Sequence, residues 1–181
     1  MTIQGLITVL HVVSFVIGAG AAASSDYMFF RAIKDRKLSD GELDTLRALG
    51  KLVWIGIGLI TATGIALFLL DPARLIASPK FLAKMTVVFV IIGNGLAFHG
   101  IHLPRLIAAR GTDLKEPNAL RGGAWLFASG GISGASWFSA IFLGSIDIPA
   151  AYASYLLLMS AYAALVACSI CAGLVVRKIV L

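Results

Sequence analysis

Five long apolar tracts, separated by short polar stretches, set the pattern of this chain. They cover about 3–27, 52–70, 79–102, 123–144 and 150–176. Each approaches or exceeds the ~20 helical residues needed to cross a hydrocarbon core of ~30 Å. In lipid a helix satisfies its backbone N–H and C=O groups within its own segment, so the tracts are expected to be helical. The pattern predicts an all-α polytopic transmembrane helix bundle of five spans, forming a single transmembrane domain over 1–181.

Local signals mark the boundaries. Ser39-Asp40-Gly41-Glu42 is a capping-box pattern, and the helix it opens is expected to run on into the second span. Asp71-Pro72 closes that span, and Ser78-Pro79 supplies an N-cap and a first-turn proline for the third. The third span is expected to end near His102, before Pro104, and Ile148-Pro149 to turn the chain into the fifth. Leu6 to Ile17 followed by Ala21-Ala22-Ala23-Ser24 has the outline of a signal peptide, but no Lys or Arg precedes Arg31, so the tract is read as a retained span.

Composition agrees: 59% of residues are hydrophobic and 13% charged, against about 25% charged in a soluble domain. The formal net charge of +6 does not point to nucleic acid, because the basic residues fall in the gaps between apolar tracts and form no stripe on a soluble face. Six Lys/Arg lie between spans one and two, four between spans three and four, and two after span five; the opposite side has Arg74, Lys80 and Lys84. The positive-inside rule makes the richer side cytoplasmic and places the N-terminus outside.

Chemistry then has to come from polar groups at membrane depth. His11 lies about 12 Å below the outer surface and Lys84 about 8 Å, at 1.5 Å per residue. An intramembrane imidazole faces the bundle interior by default and raises a functional hypothesis; the bland reading is a hydrogen bond to a neighbouring helix. A lysine so near a helix end can also snorkel to the headgroups. His99 and His102, spaced i, i+3, share one helical face and are candidates for a metal, an anionic headgroup, a second haem or a quinone; the alternative is an interfacial polar cap. Lys84, Val88, Ile91, Gly95, His99 and His102 follow one stripe. Lys84 and His99 are about 22 Å apart along it, which divides the chemistry into an outer site (His11, Lys84) and an inner one (His99, His102).

Gly95, with Gly18, Gly20, Gly56, Gly58 and Gly64, is a place where a flat macrocycle can lie against a helix, or where helices pack closely. Gly130 and Gly134 form a GxxxG that fits packing or a homodimer, and Gly130-Gly131 is a point where the fourth helix can break. Cys168-x-x-Cys171 resembles a redox or metal pair but sits inside the last span without a second ligand pair and reads as packing, and Asp26 reads as an interfacial charge paired with Arg31 or a histidine in preference to a proton relay. Asn94, Tyr152, Tyr155 and Tyr162 can satisfy buried groups. The hydrolase and phosphoryl-transfer motifs, a Walker loop, H-E-x-x-H and G-x-S-x-G, do not occur.

Leu10-His11, Gly18 and Gly20, Arg31, Trp54, Thr63-Gly64 and Phe81-Leu82-Ala83-Lys84 occur in an order that resembles a loose group of small bacterial membrane proteins, over residues 5–105. The group includes the HemJ-type protoporphyrinogen oxidases and the CopD-type copper-resistance proteins. The resemblance implies a bacterial inner membrane location and haem b, with His11 and Lys84 inheriting the binding roles and Arg31 and Trp54 joining the candidate cofactor-binding residues. Gly18 to Ala23 stand where the HemJ first helix is rich in aromatics, and His99 lies farther from the lysine than the later HemJ histidine does.

The leading expectation is a haem b membrane redox protein with His11 as an axial ligand and Lys84 as second ligand or propionate partner, working with a quinone or another redox partner. The same histidines form a ladder for copper or another small cation in a transport protein. A structural or assembly subunit without a cofactor is the third reading.

Overall fold

The computed structural model of this protein describes residues 2–34, 37–114, 116, 123–148 and 154–180. In chain order the elements are α1 (Ile3–Lys34), α2 (Asp40–Leu70), the short α3 (Pro72–Ile76), α4 (Pro79–Ala97), a π-helical turn (Phe98–His102), α5 (Leu103–Ala108), α6 (Gly123–Ser145) and α7 (Tyr155–Val180). Five continuous stretches are long and apolar enough to cross a membrane: Ile3–Ala32, Asp40–Leu70, Pro79–Ala108, Gly123–Ser145 and Tyr155–Val180. The chain is an all-α, multi-pass membrane protein.

Caps form where the sequence places them. The Ser39 hydroxyl accepts from the Glu42 N–H while the Glu42 carboxylate accepts from the Ser39 N–H, and α2 runs unbroken from that box through the second span. Ser78 caps α4, with Pro79 in its first turn. Asp71 closes α2 and also starts α3, a turn of helix that sequence reasoning did not anticipate.

Two boundaries differ from expectation. The first helix continues to Lys34, about two turns past residue 27, because nothing between Met28 and Lys34 breaks a helix. The third span does not stop at His102 but continues to Ala108. A proline inside a helix removes one N–H and pushes its ring against the carbonyl four residues back. Here the chain widens into a π turn immediately before Pro104, closed by Leu103 N–H donating to Phe98 C=O, and the proline becomes a first-turn residue of α5. The expected start of the fifth span at Pro149-Ala150 lies outside the described residues.

Glycines set how closely the helices approach. A Cβ on Gly56 would lie 2.5 Å from the Gly18 Cα, so α1 and α2 cross backbone to backbone at that point. On the other side of the bundle, a Cβ on Gly131 would lie 2.6 Å from the Ser169 carbonyl oxygen, and one on Gly173 would lie 2.7 Å from that of Phe127, which locks α6 against α7. Gly130 and Gly134, the GxxxG pair, have nothing within 4 Å of such an atom, and α6 passes through Gly130-Gly131 without a break. Built from Ser, Ala and Gly at many positions, α6 is the most buried of the five spans.

Two apolar clusters result. One, at the end of the bundle carrying the α1–α2 loop, joins Ala32, Leu38, Leu43 and Leu46 to Leu106, Ala109, Leu114 and Phe127. The other, deeper in the spans, joins Ala22, Ile57, Ala83, Val87, Ile91, Trp137, Ala140 and Leu143. A cavity borders both.

Candidate functional site

Two polar sites occupy opposite halves of the bundle, each built around one imidazole whose orientation a neighbour on α2 fixes.

In the first, His11 of α1 faces Thr63 and Gly64 of α2. His11 Nδ1 and Thr63 Oγ1 are 2.9 Å apart. The threonine hydroxyl has one proton, directed to the carbonyls one turn back: Leu59 O lies at 2.7 Å and Ile60 O at 3.1 Å. With its own proton directed to those carbonyls, its oxygen is placed to accept from the ring, which assigns the hydrogen to Nδ1 and the lone pair to Nε2. Gly64 leaves room for the ring, since a Cβ there would already touch His11 Cε1 at 3.4 Å. Lys84 of α4 is close enough for its charge to act on this imidazole, and its ammonium has no hydrogen bond or ion pair with another described residue. The structure thus brings His11 and Lys84 into one region, as the sequence depths implied.

The second site holds His99. The Trp54 indole Nε1–H donates to His99 Nδ1 at 3.1 Å. Indole nitrogen is a donor only, so Nδ1 must be the accepting nitrogen and Nε2 carries the proton, the reverse of His11. The Gly95 carbonyl, 3.3 Å from the same Nδ1, is then a close neighbour that receives no hydrogen. The Nε2 edge lies against Gly50, where a Cβ would come within 2.9 Å of it.

His99 and Gly50 line a cavity of about 300 Å³ to which α1, α2, α4, α6 and α7 all contribute. Its wall is apolar and aromatic, with Phe98, Phe127 and Trp137 prominent, and carries a few polar groups. Asn94 and Ser129 belong to it but are satisfied by each other: Asn94 Nδ2 donates to the Ser129 carbonyl at 3.1 Å and Ser129 Oγ donates to Asn94 Oδ1 at 2.7 Å. Asp26 is different. Its carboxylate borders the cavity and makes no hydrogen bond or ion pair with another described residue. The expected partner Arg31 is exposed in the last turn of α1, and a spacing of five residues turns the two side chains to different faces.

The remaining candidates fall elsewhere. His102 does not join His99. The π turn changes the angle between them, and His102 is buried against Phe98 and Trp125 of α6, with both ring nitrogens unpartnered among the described residues. The common face of the two histidines and the unbroken stripe from Lys84 are therefore corrected: the stripe ends at His99. Over Gly95 lies the edge of the Trp54 indole, 3.6 Å from where a Cβ would be. Tyr162 pairs with Ser136 and Tyr155 with Thr86, whereas Tyr152 lies outside the described residues. Cys168 and Cys171 are exposed on α7. Among the described residues no three His, Cys, Asp or Glu side chains cluster as a metal site.

Sequence reasoning passed over Gly50, Ser133 and Trp137, which line the cavity, and read Asp26 as an interfacial charge in preference to a proton relay. Pro104 inside an apolar helical pattern was the one available signal for the π turn, since such turns recur next to functional residues. Compared with family models, curated proteins and solved structures, the chain matches none.

Proposed function

We propose that this chain is a haem b-binding membrane redox protein in which His11 is an axial ligand. The observation that carries the reading is the Thr63 contact. Histidines that ligate metals donate their other ring N–H to a fixed acceptor, which sets the tautomer and raises the basicity of the ligating nitrogen. His11 fits that arrangement: with Nδ1–H assigned to the Thr63 contact, the Nε2 lone pair meets no partner among the described residues. Lys84 beside it serves as a propionate partner while charged, or as a second ligand once deprotonated. Haem supplies one-electron chemistry, and the low-dielectric surroundings and the axial ligand tune its potential.

The resemblance to the HemJ and CopD group agrees with this assignment on His11, Thr63-Gly64 and Lys84. In the same reading the twelve Lys/Arg of the richer side face the cytoplasm, the N-terminus is outside, and the membrane is the bacterial inner membrane. Copper or cation transport, the second reading, draws on the Asp26 carboxylate at membrane depth, which has no partner among the described residues, a feature of ion pathways.

The test is the visible spectrum of the protein purified in detergent. A Soret band is expected in the wild type and lost in His11→Ala. A colourless protein that folds and can take up no haem refutes the proposal, and bound copper in its place favours the second reading.

A further inference from the structure

We infer that the cavity between the five spans is a binding site for the headgroup of a benzoquinone-class quinol, with the Asp26 carboxylate accepting one ring hydroxyl and His99 Nε2–H donating to a ring oxygen. The inference rests on the redox reading in giving that headgroup a role as a redox partner.

Three observations carry it. The first is size: about 300 Å³ lies at the bottom of the range for small-molecule sites and suits one substituted ring better than a macrocycle. The second is polarity. A quinol or quinone head is a flat apolar ring with an oxygen at each end. The cavity matches it with walls of Phe98, Phe127 and Trp137 interrupted by isolated polar groups from different helices. The third is that those groups have unused capacity of the required sign. Asp26 is an acceptor with no donor among the described residues. His99 has spent its acceptor nitrogen on Trp54, and this fixes the proton on the nitrogen that lies at the wall shared with Gly50. Asn94 and Ser129 are already paired and are not recruited.

The donor decides between this ligand and an organic cation. A carboxylate within aromatic walls also suits an ammonium ion. A cation, however, has no use for the N–H that Trp54 fixes on His99, whereas a quinol uses the two groups together, one hydroxyl donating to Asp26 and the oxygen of the other accepting from His99.

The experiment titrates the full chain in detergent with decylubiquinol and decylubiquinone, reading the fluorescence of Trp54 and Trp137, alongside benzyltrimethylammonium. Saturable quenching by both quinone forms is expected. Assayed at alkaline pH, where the carboxyl is ionised, Asp26→Asn is expected to weaken the quinol by about tenfold or more, the scale of a hydrogen bond to a charged group, and the quinone far less, since the quinone has no hydroxyl to give. His99→Phe weakens both forms. Gly130 lines the cavity and has open space at its Cα, so Gly130→Leu fills the site and removes binding of both forms at unchanged thermal stability.

Absence of saturable quenching overturns the inference. So does equal weakening of both forms by Asp26→Asn, or Asp26-dependent binding of benzyltrimethylammonium without binding of the quinol. The haem reading fails or stands separately: a preparation that takes up no haem yet binds decylubiquinol refutes haem and retains this site, and a Soret-positive protein that binds neither quinone form does the reverse.

Discussion

His11 and His99 are both half-buried imidazoles held by a side chain of α2, yet their neighbours leave them in opposite chemical states. Thr63, its own proton directed to the helix carbonyls behind it, is placed as an acceptor and so leaves a lone pair on His11. Trp54 can only donate, and so it leaves a hydrogen on His99. The same side chain thus presents a lone pair in one half of the bundle and a hydrogen in the other. What distinguishes them is the hydrogen-bonding sign of the partner, not burial or depth.

The variant expected to damage both halves at once is Gly56→Val. Its side chain would meet the α1 backbone at Gly18, where neither helix has a flexible group to yield. A loss of roughly 3 kcal/mol or failure to fold is expected, read as yield and thermal unfolding in detergent. Thr63→Val separates the halves. Haem affinity should fall 10- to 100-fold, as for other partners of ligating histidines, while quinone quenching is unchanged. Equal loss at both sites would abolish the comparison.

Trp54→Phe addresses the other half. Without its donor, His99 is free to place its proton on Nδ1 towards the Gly95 carbonyl. Quinone binding should weaken by about fivefold, within the range of one neutral hydrogen bond, with the Soret band unmoved. The smallest effect is expected for Arg110→Ala. This removes an exposed ion pair with Asp40, worth under about 1 kcal/mol, and should leave both sites as they are; a shift in either would show that the loop end of the bundle controls them.

Much of the fold is legible in the residues. The five apolar tracts, the Ser39 box and the Ser78-Pro79 cap are local features, and a helix in lipid has few alternatives, so local features decide. Boundaries slipped where a local rule met a local remedy: Pro104 should end a helix, and one π turn absorbs it. The sites are harder to read because they depend on which helices are neighbours. His11 and Lys84 can be paired from depth alone. By contrast, nothing in the α1 sequence says that Asp26 borders a cavity, and nothing in spacing says that His102 turns towards Trp125 while His99 turns towards Trp54. The second outcome required knowing that the helix changes its pitch between them.

The crossing of Gly18 and Gly56 has a mechanical consequence. It lies two helical turns from His11 along α1 and two turns from Thr63 along α2, with Asp26 and Gly50 about as far away on the other side. The two helices are therefore brought to backbone contact midway between the two candidate sites, so a side chain added at that crossing would shift the spacing of α1 and α2 on both sides of it.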